Sequence, residues 1–365
     1  MADERVQRIA AALREVGADW AVLTSTDGVT YATGHAPSVE TGPSPFSGGP
    51  ALAVVGRNGE VGLLAADAGE ARADRVEAYD AYGRDQADAP TAAYAAAAAR
   101  LFAAFGVGGV LAIEPATHVG IIEASRRVDI TPALRRQRAT KTAAELIALR
   151  RAAAVTAIGQ RAFVAGLRAE RSELDLFAAI RSAMEAAAGE RLAVAGDLLS
   201  GVARTAAIGG WPNHRVIERG DAVLADIAPR VAGYWADSCG TTVLGTPGDG
   251  QQRLFTAARS ALDHALSIMR PGLAVAALHE SVRACVQRHG FDYPHHTGHS
   301  IGTAVHEHPR VTGHEPAVLR ADMVLMIEPG AYHPELGGVR TEWMAHVTAT
   351  GCAPVDPFEH VLSVG

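Results

Sequence analysis

Hydrophobic and polar positions in the first third of the chain alternate between two periods. Val6, Ile9, Leu13 and Val16 recur at helical spacing and the run stops at Gly17, which predicts an amphipathic helix from Asp3 with a glycine cap. Short apolar runs at 20–23, 29–33, 51–55, 61–64 and 109–113 predict strands, with Arg57-Asn58-Gly59 turning one into the next. Residues 91–105 are alanine-rich and read as a helix, and 119–127 as another. Between two of the strands lies 38–50, rich in Gly, Pro and Ser, a long loop of the kind that usually persists because it binds something. Strands alternating with helices predict an α/β domain.

Residues 134–141 turn basic and polar, and a long helical pattern then begins at Ala143 and passes through Leu146, Leu149 and Ala153. We place a domain boundary there, giving domains 1–135 and 136–365. The basic residues read as a solvated linker and helix start rather than a binding patch. Further on, Ser172 with Asp175 caps a helix reaching Ala188, Asp249 with Gln252 caps one reaching Met269, and 274–288 forms another that ends before Gly290. The fold class is therefore α/β (α+β) in two domains.

Composition changes this picture little. At 365 residues the chain exceeds one ordinary core, and 48% hydrophobic with 20% charged content marks a folded globular protein. A formal net charge of −7 without any basic run argues against nucleic acid as a partner. No apolar run of membrane-spanning length occurs, so no membrane partner is expected. Cys239, Cys285 and Cys352 have no paired spacing and read as thiols in a reducing cell. With a charged N-terminus lacking an apolar stretch, this makes the cytoplasm the expected location.

Candidate chemistry is concentrated in the second half. Small apolar residues run from Gly220 to Asp226, a Pro-Arg-Val-Ala-Gly reversal follows, and Asp237 returns eleven positions later, so strand, turn and strand set two carboxylates facing each other. Two anions in an apolar setting need a cation or a shared proton; the blander reading is one turn-forming and one solvated aspartate. Downstream, His295, His296, His299, His306 and His308 crowd one short window, although the chain has 15 histidines in all. An apolar strand then ends in Glu328, and Arg340 precedes Glu342 by two positions, on the same face of a strand. Four carboxylates and an imidazole form an oxygen-rich set suited to a pair of Mn2+, Co2+, Zn2+ or Fe2+ ions.

In order and spacing, Asp226, Asp237, His299, Glu328 and Glu342 resemble the five metal ligands of the pita-bread metallopeptidases, family M24, which include aminopeptidase P, prolidase and creatinase. The resemblance runs from Ala143 to about Thr348. It extends more loosely to the first domain through the stretch from Val29 to Gly34, similar to the creatinase-like N-terminal domain, and is nearest to the Xaa-Pro aminopeptidase and prolidase branch. It implies two divalent metal ions, Mn2+ foremost, with Asp226 on one, Asp237 and Glu342 bridging, and His299 and Glu328 on the other. It implies that a metal-bridging hydroxide attacks the scissile carbonyl, that Glu328 shuttles a proton, that His306 stabilises the tetrahedral intermediate, that His295 contacts substrate, and that Arg340 orients a bridging carboxylate. His296, His308 and His314 match no role and are expected at the surface or behind the ligands.

One departure bears on substrate. Relatives that cleave before proline usually carry a histidine seventeen positions ahead of the first ligand, where this chain has Gly209. His214 is a nearby substitute, and Trp211 could wall the pocket. The resemblance implies an Xaa-Pro aminopeptidase or dipeptidase acting on a small peptide, with a hydrolase of a small non-peptide amide or C–N bond as the alternative, and a non-catalytic binding module as a third class. It also implies a homodimer in which the loop at 38–50, with Glu40 and Phe46, narrows the partner's cleft.

Overall fold

The computed structural model describes residues 3–37, 49–66, 71–79, 90–114 and 126–365. The expected loop at 38–50 falls almost wholly outside them, as does most of the helix expected at 119–127. Two compact units make up the chain, Met1–Arg138 and Ala139–Gly365.

The first unit is built on β1 (Trp20–Leu23), β2 (Leu52–Gly56), β3 (Val61–Ala65), β4 (Arg75–Ala78), β5 (Val110–Ile113) and β6 (Arg126–Asp129), in the sheet order β4-β3-β2-β1-β5-β6. The pairs β1–β2 and β2–β3 are antiparallel and the outer pairs parallel. Period-two alternation explains its two faces. Ala21, Leu23, Ala53 and Val55 share a buried cluster with α1 (Glu4–Val16) and α2 (Thr26–Thr33), whereas Val22, Leu52 and Val54 join α3 (Pro90–Phe105). α4 (Thr131–Arg138) closes the unit.

Residues 29–33 form the last turns of α2 rather than a strand. Their β-branched content suggests extension, but the Ser25 hydroxyl accepts the Gly28 N–H at 3.0 Å as a cap, and Thr30 and Thr33 donate back to the carbonyls of Thr26 and Val29 at 2.8 Å. Gly34, at φ 73°, ends the helix. Arg126 and Arg127, expected in a helix, lie in β6 beside β5.

The second unit starts with α5 (Ala143–Gly166) and α6 (Glu173–Ala188), a packed pair. Thr142 and Glu145 form a reciprocal capping box at the start of α5. Next come β7 (Ala193–Ala195), β8 (Leu198–Ser200), α7 (Val202–Thr205), β9 (Ala222–Asp226), β10 (Ala228–Val231), β11 (Tyr234–Trp235) and β12 (Cys239–Leu244). A second helix pair follows, α8 (Asp249–Ile268) and α9 (Val275–Arg288). The cap of α8 lies one residue earlier than expected, because the Gln251 side chain accepts the Gly248 N–H at 2.9 Å.

The remaining strands are β13 (Gly298–Ser300), β14 (Glu307–Val311), β15 (Val324–Ile327), β16 (Gly330–His333), β17 (Gly337–Arg340), β18 (Trp343–Val347), β19 (Cys352–Pro354) and β20 (Ser363–Val364). They give sheets of order β11-β10-β7, β20-β12-β9-β8 and β14-β13-β15-β18-β19, with β16 and β17 as a separate hairpin. One buried cluster joins α5 and α6 to β8 and β9, and another joins α8 and α9 to β15 and β18. Among the described residues no helix is long and apolar enough to cross a membrane.

Two glycines let backbone approach the strands that carry the candidate ligands. A Cβ on Gly196, at φ 129°, would stand 2.0 Å from the Asp226 carbonyl oxygen; one on Gly298, at φ 153°, would stand 1.8 Å from that of Met326. Gly298→Ala should therefore destabilise the protein by about 3 kcal/mol, a fall in Tm of roughly 6–12 °C for a unit of this size. An unchanged melting curve would show that the β13–β15 contact can open without cost.

Candidate metal centre

Antiparallel pairing of β9 with β12 sets Asp226 opposite Cys239, which brings Asp237, two residues earlier, back beside the end of β9. The expected strand, turn and strand are thus present, with the β10–β11 hairpin as the reversal. Helix α5 braces this corner. Thr156 Oγ1 donates to the Ile227 carbonyl at 3.0 Å and lies 2.9 Å from Ser238 Oγ, while the Gln160 amide donates to the carbonyls of Ala225 and Ser238. Sequence inspection did not single out Thr156, Gln160 or Ser238, because polar residues in a helix interior and a serine after an aspartate carry no distinctive spacing.

Glu328 follows β15 directly, and Glu342 sits between β17 and β18, its N–H donating to the Cys239 carbonyl at 2.9 Å. His299 lies on β13, which pairs with β15. One ligand atom from each of Asp237, His299 and Glu342 falls within 4.8 Å of the other two. His299 Nε2 is 3.9 Å from Asp237 Oδ2 and 3.8 Å from Glu328 Oε1. Its Nδ1 lies 2.9 Å from the Ser300 carbonyl, which can only accept, so Nδ1 carries the proton and Nε2 presents a lone pair. Burial lowers the His299 pKa to about 4 and keeps the ring neutral, the form that binds metals.

Electrostatics point the same way. Burial, and after it the charges of Asp226 and Glu328, push the Asp237 pKa well above the usual carboxylate range. Glu342 is pushed up by burial and by Asp237, Asp226 and Glu328. Glu342 Oε2 is buried and, among the described residues, has no hydrogen-bond partner. A buried acceptor without a donor costs about 1–3 kcal/mol, and a divalent cation would satisfy it while offsetting the carboxylate repulsion. Four carboxylates and a neutral imidazole with its free nitrogen turned inward fit divalent metal ions.

Three surrounding groups have partners that the sequence does not announce. Arg340 grips Asp226, and its guanidinium also donates to the Ile208 carbonyl at 2.9 Å and lies 3.6 Å from Asp197. His295 has both ring nitrogens engaged: Nδ1 donates to the His296 carbonyl at 2.7 Å, which leaves Nε2 to accept from the Tyr332 hydroxyl at 3.0 Å. His296, expected outside the site, has Nε2 2.9 Å from Glu328 Oε1. Arg310 donates to His296 Nδ1, which leaves the ring proton on Nε2, the nitrogen nearer Glu328; Glu328 Oε1 is buried and, among the described residues, has no hydrogen-bond partner. Burial opposes the Glu328 charge, but His296, with His299 and Arg340 beyond it, holds its pKa at about 2.

His306 is exposed, with its ring centroid 4.0 Å from that of His299. Gly209 approaches Asp197, which accepts the Gly210 N–H, while Gly210 packs on Leu199, and burial beside Asp226 raises the Asp197 pKa. Trp211 does not wall a pocket; it is 85% exposed, and His214 is also at the surface. His308 pairs with Glu315 at 3.5 Å and His314 is exposed. Asp197 and Tyr332 were invisible to motif reading, since one precedes a short strand and the other lies inside one.

Comparison with known proteins gives matching results. The family description "Metallopeptidase family M24" matches residues 147–349, and "Creatinase/Prolidase N-terminal domain" matches residues 5–140. The chain is 28% identical over 261 residues to an Xaa-Pro dipeptidase of Pyrococcus horikoshii, covering 69% of this chain and 74% of that protein. It is 34% identical over 161 residues to one of Pyrococcus furiosus, covering 44% and 46%. The crystal structure of a prolidase from Pyrococcus horikoshii OT3 superposes with a TM-score of 0.81 at 23% identity, over 98% of this chain and 99% of that one. Its likeness establishes the shared two-domain pita-bread fold. The family match spans more than half of the chain and takes in every strand that carries one of the five candidate ligands, so this hydrolase belongs to metallopeptidase family M24.

Proposed function

We propose that the protein is a dinuclear metallopeptidase that hydrolyses small peptides ahead of proline, Xaa-Pro dipeptides foremost. The observation that carries this reading is the buried Glu342 oxygen without a donor, set among three further carboxylates and His299 Nε2. The Xaa-Pro dipeptidases among its relatives supply the substrate class. Asp226 would hold one ion, His299 and Glu328 the other, and Asp237 and Glu342 both, with Mn2+ the first candidate and Co2+, Zn2+ or Fe2+ the alternatives. Two bound ions lower the pKa of a shared water and polarise the scissile carbonyl.

The chain's own groups do the rest. Glu328, beside His296 Nε2, accepts the proton of the attacking water and passes it to the leaving nitrogen. His306 donates to the oxygen on which negative charge develops. The line from Arg340 through Tyr332 to His295 fixes Asp226 and leaves His295 a bracing role.

A second reading, a hydrolase of a small non-peptide amide or C–N bond, is favoured by one observation. The position where proline-directed relatives carry histidine is Gly209, against Asp197, while His214 lies at the surface. A panel of Xaa-Pro dipeptides, longer Xaa-Pro peptides and small N-acyl amides, assayed with Mn2+, separates the two. Turnover of amides with none of the dipeptides would reject the peptidase reading.

Asp237→Asn or Glu342→Gln should abolish activity and empty at least one metal site by elemental analysis. In chelator-treated protein Glu342→Gln should instead raise Tm, by roughly 2–4 °C per kcal/mol of repulsion relieved; a lower Tm would show that the carboxylates do not repel one another. His306→Ala should retain both ions and lower kcat by about 10², the effect of removing one oxyanion donor. Metal loss in that variant would make His306 a ligand.

A further inference from the structure

The basic stretch ahead of α5 contains one side chain that is fully buried rather than solvated. The Lys141 side chain has 0% exposure, and its Nζ lies 2.7 Å from Oε2 of Glu307, itself 5% exposed, and 3.4 Å from Ser300 Oγ. Both charges lose their hydration, a cost that apolar residues of similar volume would avoid. The position of the pair indicates what is gained. Ser300 adjoins His299, and Glu307 adjoins His306.

The turn between these histidines is wrapped around the Glu307 carboxylate. Glu307 Oε1 accepts the Ala304 N–H at 3.2 Å, and a Cβ on Gly302 would stand 2.5 Å from the same oxygen. The Gly302 carbonyl accepts the Trp235 N–H at 2.8 Å, which ties the far side of the turn to β11. Lys141 is fixed from its own side: its N–H donates to the Asp322 carbonyl at 2.8 Å, and the Thr142–Glu145 capping box follows directly. The ammonium position is therefore set by the start of α5, and through Glu307 it sets the path of the turn. Among the described residues no hydrogen bond holds the His306 ring, so the backbone of this turn determines where that ring lies.

We propose that Lys141 is the positioning residue of His306, acting through Glu307 to hold the 301–307 turn so that the imidazole stays at its station above His299. This rests on the assignment of His306 as the donor to the developing oxyanion. Displacement of such a group by about 1 Å can cost 10²-fold in rate.

Lys141→Met alone strands a buried carboxylate and can fail to fold, so the informative protein is the full chain carrying Lys141→Met with Glu307→Gln. Loaded with Mn2+ and assayed on the best substrate of the panel, it should keep both ions, hold KM within about twofold and lose roughly 10- to 100-fold in kcat. Glu307→Gln alone, whose amide oxygen still faces the ammonium, should lose less. Adding His306→Ala to the double variant should then cost only the remainder of that loss, about 1- to 10-fold and smaller the more the double variant has already lost, against about 10² in the otherwise native chain. The full 10² loss in both backgrounds would leave the donor role standing and overturn the positioning inference. Loss of metal from the double variant would move the effect to His299 and overturn it as well. No effect of His306→Ala in the native background would remove the donor role itself, and this inference with it.

Discussion

Mutual repulsion of four carboxylates in a largely buried space is the constraint around which the second unit is arranged. Asp226, Asp237, Glu328 and Glu342 each arrive at the end of a strand or just beyond it, where a side chain can turn inward. Nothing apolar could hold them there. Local contacts set their directions instead: Arg340 on the Asp226 carboxylate, the Ser238 N–H on that of Asp237, His296 beside Glu328, and the Cys239 carbonyl on the Glu342 backbone. Such contacts fix direction without cancelling the charge, which leaves the cation demand intact.

How much of this was legible in the sequence depends on whether a residue's role is written in spacing. Strand-terminal acids separated by a reversal were readable, because a hairpin with period-two pleating fixes which side chains meet. The five-histidine window was readable as a site, but the partners of each ring were not. His296 is an ordinary neighbour of His295 in sequence, and only the fold brings Arg310 and Glu328 to its two nitrogens. The same holds for Arg340, whose carboxylate lies more than a hundred positions earlier in the chain.

Two misreadings share a cause. Residues 29–33 look extended by composition, and Lys141 looks solvated by type, yet both are decided by partners far away in sequence. Glu114 accepts from Ser25 at 2.6 Å where α2 begins, and Glu307 meets Lys141 across 166 positions. Intrinsic preference is a weak prior, and long-range polar contacts overrule it where burial makes them expensive to leave unmade. The α8 cap shifted by one residue shows the opposite limit, where two adjacent glutamines offered the same local chemistry and one register won.

Arg340 binds Asp226 on one side and the Ile208 carbonyl on the other, and Asp197 reaches the Gly210 N–H from the same neighbourhood. The segment around Gly209 is thus tethered to the carboxylate of a candidate ligand, Asp226. Divergence along this segment is therefore not modular. A substitution that reshapes it shifts the guanidinium, and with it the aspartate, so under the function proposed above substrate preference and ion affinity would be inherited as one linked trait.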